Sequence, residues 1–466
     1  MKKIFLLIIV LFCAGNTFAD NIPLPQSLDK KHWLYFGWEE SHPKAISLMG
    51  GAVYARRPKL GDKYYHPWKV SKEAWHEKSD SPVFFMLGVD GNTPFYPDEM
   101  AADRRKAIDW HLAEGYLPFP VSRWQHDNIE VEITHFGRRV LKDFVDVVYS
   151  QVKLRNISST SHKTALVIRG EGVAERVLPL NKKDISEKQT DQLTFRSEVA
   201  PGKEVVYEFV LPANGTSSAK SVIAMGSYSK NYKLEKERIL NRMDRLAMPV
   251  SLPDPRYINL WKSSMTNMWN ATVKTSDDFE QRGSGGNVYG FAQYDNTFNH
   301  DIPDMAIQYI LEGNIEMAKK IITGRIFEEL SEGKLIRTAY LDAIPKYIMA
   351  TAQYLQITGD TDYFDDALLA KLKRCSREVS KLRDGQRNEE SRKTGVYGLI
   401  QKGSTMDNAF VSYLIVDNFA ALHGFTAYRY ICERFKYRNK DQRQYGTAPV
   451  LIFMISLLFS YNRYLF

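Results

Sequence analysis

The sequence has few cysteines, and they are not arranged as a disulfide framework. Only three, Cys13, Cys375 and Cys432, occur among 466 residues. Exported proteins that depend on disulfides are usually short and much richer in cysteine, so that class is excluded. Cys375 and Cys432 fall on the apolar faces of predicted helices, which predicts buried free thiols. No cysteine or histidine cluster has metal-ligand spacing, and we expect no metal and no cofactor.

A strong excess of charge of one sign is also missing. The sequence has 63 Lys and Arg against 55 Asp and Glu, a formal net charge of +8. The basic residues are spread thinly, and the short clusters at Lys182–Lys183 and Lys233–Arg245 are interrupted or followed by acids. A nucleic-acid partner is therefore not expected. A hydrophobic content of 44% indicates a globular protein with a large core, long enough for two or three domains.

The N-terminal segment has the parts of an export signal. Residues Met1–Ala19 combine two lysines, the apolar run Ile4–Cys13 and a small-residue site before Asp20. This pattern predicts a signal peptide cleaved before Asp20 and a periplasmic protein. The alternative is a lipoprotein acylated at Cys13, which ranks second because Phe12 stands where that signal needs a small residue.

Residues 20–232 alternate between apolar and polar with a period of two. The alternation predicts strands at Ile129–Thr134, Val145–Leu154, Thr164–Ile168, Val205–Leu211 and Ser221–Met225. Turn-rich segments separate these strands, which is typical of an antiparallel β-sandwich. The charged segment Lys233–Arg245 predicts a helix, and residues 233–253 are expected to form a linker to the next domain.

From residue 254 to about residue 438 the period changes to 3.6, which predicts helices. Asp254 is expected to cap the first of them, with Pro255 at the first helical position. The apolar stripe of that helix consists of Ile258, Trp261, Met265, Met268 and Trp269. Further helices are predicted at Pro303–Glu312, Ile315–Thr323, Pro345–Thr358, Asp362–Leu382 and about 416–435.

Two of the helix breaks resemble each other. Each has a glycine that ends a helix, Gly313 or Gly359, followed by Asn314 or Asp360 as the predicted N-cap of the next helix. Their separation is that of a helical-hairpin repeat, which predicts an array of α-hairpins. We expect the array to be incomplete, because too few residues follow for a ring of six hairpins. The tail 439–466 turns apolar, which favours a truncated or frame-shifted end; it is too short for a membrane span, and an anchor is the alternative.

The loop that leads into the first hairpin is crowded with aromatic and short polar side chains. A sugar ring has apolar C–H faces and an edge of hydroxyls, so aromatic rings beside carboxylates and amides suit it. The loop therefore predicts a site for an oligo- or polysaccharide. The predicted substrate-binding residues are Tyr294, Asp295, Asn296, Phe298, His300 and Asp301.

A β-sandwich, a linker helix and α-hairpins that open with the motif Y-D-N-T-F-N-H-D resemble the six-hairpin glycosidases. That group includes glucoamylases, bacterial trehalases and α-rhamnosidases, and the resemblance covers roughly residues 27–435. It implies an α+β fold, with a supersandwich followed by an incomplete (α/α)6 toroid, and an exported inverting glycoside hydrolase. In the family an Arg-Asp pair holds sugar hydroxyls, which implies this role for Asp301, with His300 in place of the arginine. The alternative role for Asp301 is to cap the helix that begins near Pro303.

The same resemblance implies that Asp407, in the loop before the last predicted helix, is the general acid. Such an acid needs a raised pKa to protonate the leaving oxygen. One alternative is that Asp407 caps a turn. Another is that Glu389 or Glu390 is the general acid, although both stand in a run of charged residues that is typical of a solvent-exposed surface. The family draws its general base from later hairpins, which this sequence lacks, so activity is expected of a full-length parent.

Two other functions stay open. A non-catalytic carbohydrate-binding protein is favoured by the missing base. A uronate lyase or sugar epimerase, which also uses an α/α toroid, needs a histidine or tyrosine base, for which His300 and Tyr294 are the local candidates. Released reducing sugar, no turnover and an unsaturated product would distinguish the three.

Overall fold

The computed structural model describes residues 33–37, 45–55, 82–97, 106–139, 146–181, 185–213, 226–249, 251–274, 279–281, 300–324, 327, 331–332, 340–360, 362–403 and 411–434. The predicted signal segment Met1–Ala19, the predicted strand Ser221–Met225 and the tail 439–466 lie outside these residues. Within them the fold is α+β, as predicted. Antiparallel sheets form the N-terminal part, and helices dominate from residue 228 onward.

The described strands form four antiparallel sheets. In chain order they are β1 (Trp33–Phe36), β2 (Ala45–Leu48), β3 (Val53–Tyr54), β4 (Phe84–Val89), β5 (Asp109–Leu112), β6 (Pro120–His126), β7 (Ile129–Arg139), β8 (Asp146–Asn156), β9 (His162–Arg169), β10 (Leu178–Pro179), β11 (Glu187–Gln189), β12 (Gln192–Val199), β13 (Glu204–Pro212), β14 (Thr272–Lys274) and β15 (Phe279–Gln281). The largest sheet has the order β10-β13-β8-β7-β6-β5, and the next has the order β11-β12-β9-β4. The others are β1-β2-β3 and the hairpin β14-β15.

The alternating segments of the sequence are the strands of the two larger sheets. The strands predicted at Ile129–Thr134, Val145–Leu154, Thr164–Ile168 and Val205–Leu211 are confirmed as β7, β8, β9 and β13, each with slightly different ends. Side chains of both sheets share one apolar core, where the rings of Phe195 and Phe209 lie 5.4 Å apart. Period-two alternation thus places one face of each sheet in a common core.

Nine α-helices occur among the described residues. They are α1 (Val173–Arg176), α2 (Tyr228–Met243), α3 (Pro255–Ala271), α4 (Asp301–Glu312), α5 (Ile315–Ile322), α6 (Ala343–Thr358), α7 (Asp366–Asp384), α8 (Glu389–Thr394) and α9 (Ile415–Arg434). The predicted helices are therefore present, whereas the short helices α1 and α8 and the hairpin β14-β15 were not predicted. None of the described helices is long and apolar enough to cross a membrane.

The helix ends follow the sequence only in part. The Asp254 side chain accepts a hydrogen bond from the Arg256 N–H and caps α3, and Gly313 and Gly359 end α4 and α6 in the left-handed conformation, as predicted. Asn314 stands at the N-cap position of α5, as predicted, whereas the prediction that Asp360 caps the next helix is wrong. The Asn314 side chain makes no capping bond.

The Asp360 carboxylate does not bind the backbone N–H groups of the next helix, because two side-chain donors bind it instead. It accepts hydrogen bonds from the Tyr354 hydroxyl at 2.7 Å and from Lys319 Nζ at 2.9 Å. The cap of α7 is Asp365 instead, whose side chain accepts from the Leu368 N–H at 2.8 Å. Helix α7 consequently begins later than the predicted residue 362.

Helix α2, predicted as a charged linker over Lys233–Arg245, begins five residues earlier and packs closely on the largest sheet. Ser227 caps it. The ring of Tyr228 lies 5.2 Å from that of Phe136 on β7, and the Phe136 ring stacks on Tyr149 of β8 at 4.9 Å. These rings and the buried side chains of α3, α4 and α6 form one continuous core. Helix α2 therefore attaches the helices to the sheet.

Burial agrees with the sequence at most of the predicted core positions. Met265, Met268 and Trp269 of the α3 stripe are buried, and so are the free thiols of Cys375 and Cys432. Ile258 of the same stripe is half-buried, and Trp261 is 42% exposed. It lies on the apolar stripe but in the N-terminal half of α3, ahead of the part that packs into the core.

The last residue of α4, Glu312, is a buried acid whose titration we expect to control stability. Burial raises its pKa from 4.5 to about 7, while a hydrogen bond from Gln308 and the charge of Arg242 act in the opposite direction. The folded state therefore holds the proton more tightly than the unfolded state. Stability from this group is present below pH 4.5 and is lost as the pH rises through about 7.

We expect Glu312→Gln to remove this pH dependence. The free energy of unfolding of the variant, minus that of the wild type, should be about 3 kcal/mol larger at pH 8 than at pH 4. Urea denaturation at both pH values measures the difference. Glu316→Gln, an exposed change on the next helix, is the control and should leave the pH profile of the wild type unaltered. A Glu312→Gln profile parallel to that of the wild type would contradict the expectation.

Candidate functional site

The N-terminal ends of α4, α6 and α9 meet, and each carries an aspartate. Asp301 is the first residue of α4, Asp342 directly precedes α6, and Asp417 lies in the first turn of α9. Helix α6 contacts both of the others. The approach of α6 and α9 is very close at Gly424, where a Cβ atom would lie 2.7 Å from the Cβ of Pro345. Gly424 is in the middle of α9, so this contact holds the start of α6 against that helix, and Asp417 is near enough to Asp342 and Lys346 for both charges to act on it. We call His300, Asp301, Asp304, Asp342, Lys346 and Asp417 the acid cluster.

Lys346 lies among the carboxylates of the acid cluster. Its ammonium group is 2.8 Å from Asp304 Oδ2 of α4 and 2.8 Å from Asp342 Oδ2, and it donates to the backbone carbonyl of His300 at 3.4 Å. Burial alone would lower the pKa of Lys346, but these two carboxylates outweigh it and the pKa is raised. Among the described residues no group of three or more histidine, cysteine or acidic side chains is arranged to hold a metal ion.

His300 and Asp301 form an ion-pair contact at the edge of the cluster. The Nε2 atom of His300 lies 3.0 Å from Asp301 Oδ1, and the imidazole ring stacks on Tyr340 with centroids 3.8 Å apart. Tyr340 has a φ of 61°, a strained backbone conformation for a tyrosine. Burial raises the pKa of Asp301, although the charges of His300 and Lys346 oppose the rise. An aromatic ring, an imidazole and a carboxylate thus lie side by side.

Asp417 is the most buried acid of the cluster, with 3% of the residue exposed. Its Oδ2 atom has no hydrogen-bond partner in the part of the chain that the structure describes. Burial, and after it the charge of Asp342, raises the pKa of Asp417 from 3.8 to about 7, while Lys346 lowers it. A carboxyl group with such a pKa is partly protonated at neutral pH and is able to donate a proton.

The structure places only some of the predicted site residues. His300 and Asp301 belong to the acid cluster. Asp301 is the first residue of α4 rather than its cap, and the position before it, His300, makes no side-chain capping bond. The predicted binding residues Tyr294, Asp295, Asn296 and Phe298 and the predicted acid Asp407 lie outside the described residues.

The two fallback acids lie on the short surface helix α8. Glu389 has a side chain that is 84% exposed and pairs with Arg392 of the same helix at 3.4 Å. Glu390 is also exposed and lies in the same first turn. Asn388 caps this helix by accepting from the Ser391 N–H at 2.8 Å. Exposed acids in a capped first turn are well explained by the favourable interaction with the helix dipole.

Sequence reasoning missed Asp304, Asp342, Lys346 and Asp417 as site residues. The spacing of Asp342 and Lys346, four residues apart at a helix start, is a local signal for an ion pair. The contact of Lys346 with Asp304 joins two helices and has no such signal. Asp417 lies within a predicted helix and has no local signal of a site, and only the packing of α9 on α6 reveals its surroundings.

No protein-family model matches this chain, and no curated protein is similar to it in sequence. The roles of the acid-cluster residues are therefore inferred from their contacts, burial and charge alone.

Replacing Lys346 should leave several carboxylates of the cluster without their counter-ion. We expect Lys346→Met to lower the free energy of unfolding by about 3 kcal/mol at pH 8. Removing one partner of a largely buried ion pair leaves the other as a buried charge whose desolvation is no longer compensated. At pH 5 the loss should be smaller, since protonation of Asp301 and Asp417, whose raised pKa values rise further without the lysine, relieves the repulsion between the carboxylates. Chemical denaturation at the two pH values measures both effects.

Lys381→Met is the matched control, because 70% of that side chain is exposed and it pairs with Glu378 of the same helix. An exposed pair of this kind contributes less than about 1 kcal/mol. An equal loss in both variants, or a loss for Lys346→Met that does not depend on pH, would argue against a charge-compensating role for Lys346.

Proposed function

We propose that the protein is an exported glycoside hydrolase that acts on an oligo- or polysaccharide and that the acid cluster is its sugar-binding and catalytic site. The proposal includes the finer fold suggested by the family resemblance, in which the two larger sheets form a supersandwich and the helices belong to an (α/α)6 toroid. The observation that carries it is the buried Asp417 carboxyl, with a pKa raised to about 7, beside the Asp342–Lys346 ion pair.

Glycoside hydrolysis needs two carboxyl groups in different protonation states. One must be a protonated acid that donates to the leaving oxygen, and the other must be charged to activate water in an inverting reaction. Among the described residues Asp417 fits the first role, and Asp342, in its ion pair with Lys346, fits the second. Neighbouring carboxyl groups with such different surroundings are a common basis for acid–base catalysis. Asp407, expected from the family resemblance, is the rival for the first role.

Substrate binding would use the side of the cluster formed by His300, Asp301 and Tyr340. A carboxylate accepts hydrogen bonds from sugar hydroxyls, and an aromatic ring packs against the C–H face of a sugar. The aromatic loop that contains Tyr294 and Phe298 leads directly into His300 along the chain, which supplies further rings and amides. The composition of this loop and the geometry at His300 favour the same ligand.

A second function is favoured by one specific contact. The imidazole of His300, oriented by Asp301 and stacked on Tyr340, has the parts of a histidine–tyrosine pair that removes a proton next to a carboxylate group. A uronate lyase or an epimerase would use such a pair. The product distinguishes these reactions from hydrolysis, because a lyase forms an unsaturated sugar that absorbs ultraviolet light without consuming water.

We expect substitutions in the cluster to differ in kind. Asp417→Asn keeps the shape but cannot donate a proton, so turnover of alkyl glycosides should fall by roughly 10²–10⁴-fold while affinity is kept. Glycosides with a 4-nitrophenol leaving group need little protonation and should be hydrolysed by this variant nearly as well as by the wild type. Release of reducing sugar from a panel of glycosides and polysaccharides measures the effect.

Asp301→Asn should instead weaken binding by about 1.5–3 kcal/mol, because it removes a charged hydrogen-bond acceptor. Asp384→Asn, which changes an exposed aspartate that pairs with Arg387, is the control for the loss of one charge.

If Asp407→Asn rather than Asp417→Asn abolishes turnover, and a good leaving group restores it, the general acid is Asp407. Binding of sugar without turnover in the wild type would identify a carbohydrate-binding protein instead.

A further inference from the structure

A groove lined by arginines lies at the opposite end of α4 from the acid cluster. It runs between the C-terminal turns of α2 and the break between α4 and α5, and its volume is about 660 Å³. Helix α4 has 12 residues, so the groove is about 18 Å from the acid cluster at a rise of ~1.5 Å per residue. The residues on its two sides include Arg238, Arg242, Arg245, Gly313, Asn314 and Glu316, and we call it the arginine groove.

The spacing of the three arginines places them on one face. Arg242 follows Arg238 by four residues and Arg245 follows Arg242 by three, and both intervals bring side chains to the same side of a helix. The helical turn continues past the end of α2, since the Arg245 N–H donates to the Arg242 carbonyl at 3.2 Å. The far wall is fixed to this segment by a bond from the Ala247 N–H to the Glu312 carbonyl at 2.7 Å.

The three guanidinium groups differ in their surroundings. Arg238 pairs with Glu235 at 2.7 Å. Arg242 lies over the ring of Trp269 at 3.9 Å, a contact that uses the face of the guanidinium and directs its N–H groups sideways in the plane. Arg245 pairs with no carboxylate within the described residues and is exposed. Of the described residues that line the groove, Glu316 is the one acid and three are arginines, so positive charge is in excess there even with Arg238 paired.

Charges of one sign that converge on a concave surface repel one another, and an oxyanion relieves that repulsion. Guanidinium groups bind carboxylate, sulfate and phosphate oxygens through paired N–H donors. The remaining lining includes the apolar side chains Leu246, Ile315 and Met317, which suit the C–H face of a sugar. The volume is within the range of small-ligand pockets, which is about 300–1,000 Å³.

We propose that the arginine groove binds the oxyanion group of an acidic sugar, a uronate carboxylate or a sulfate ester, at a position separate from the acid cluster. The identification of the ligand as a sugar rests on the proposed function, whereas the binding of an oxyanion rests on the groove alone. An acidic glycan held here would be anchored about 18 Å from the bond that is cleaved, by the length of α4.

Calorimetric titration of the intact protein at constant ionic strength tests the proposal. The probes are glucuronate, glucose 6-sulfate, inorganic sulfate, inorganic phosphate and, as the neutral control, glucose. We expect saturable binding of the two acidic sugars and none of glucose. Arg245→Gln, an exposed change that leaves the core intact, should weaken binding of the acidic sugars about tenfold, in line with loss of a charge-assisted hydrogen bond.

Arg377→Gln on α7 removes one exposed positive charge elsewhere and should bind like the wild type. Equal binding in Arg245→Gln and wild type, or an equal loss in Arg377→Gln, would overturn the proposal. If inorganic sulfate and phosphate bind as tightly as the acidic sugars, the groove is an oxyanion site, and the identification of its ligand as a sugar is overturned. Hydrolysis of uncharged glycosides should be the same in Arg245→Gln and wild type. The proposal for the groove and the proposed function of the acid cluster are therefore tested independently.

Discussion

Helix α6 is enclosed by other helices, and this enclosure determines where the candidate site forms. It packs against α4, α5, α7 and α9, and its buried side chains are distributed around the helix rather than along one stripe. A helix that is apolar on every side is stable only when it is surrounded. Its N-terminal turn therefore has a fixed position, and the polar residues in that turn, Asp342 and Lys346, are held against α4 and α9.

Burying charge at this turn is costly, and the residues of the acid cluster offset that cost only in part. Lys346 compensates Asp304 and Asp342 directly, whereas Asp417 has a buried oxygen without a hydrogen bond in the described part of the chain. Replacing such groups by apolar side chains is often neutral or stabilising in other proteins. This uncompensated burial is consistent with the catalytic role that we propose for the acid cluster.

The parts of the fold that follow local rules were predictable from sequence. The change of period near residue 254, the cap at Asp254 and the glycines at 313 and 359 depend on neighbouring residues, and the structure has them. Asp360 does not cap the next helix because its carboxylate accepts hydrogen bonds from Tyr354 of α6 and from Lys319 of α5, and the contact with Lys319 depends on how the helices pack.

The candidate site was predictable to a smaller extent, for the same reason. His300 and Asp301 stand in a recognisable motif, and both lie in the cluster. The residues around them come from α6 and α9, and their contacts depend on how the helices pack, which no local pattern encodes. The raised pKa of Asp417 is a property of burial between helices, so it became visible only when the packing was known.

Helix α4 has charge clusters of opposite sign at its two ends, acidic at Asp301 and basic beside Gly313, and this arrangement constrains how its length can vary during evolution. Inserting or deleting one residue in a helix turns one end relative to the other by about 100° and shifts it by about 1.5 Å. Either change would rotate the acid cluster away from α6 or the Gly313 break away from the arginines of α2. The longer loops between the strands of the sheets have no such constraint, and we expect them to accept changes in length. Length variation among related sequences is therefore expected to avoid α4 and to collect in those loops.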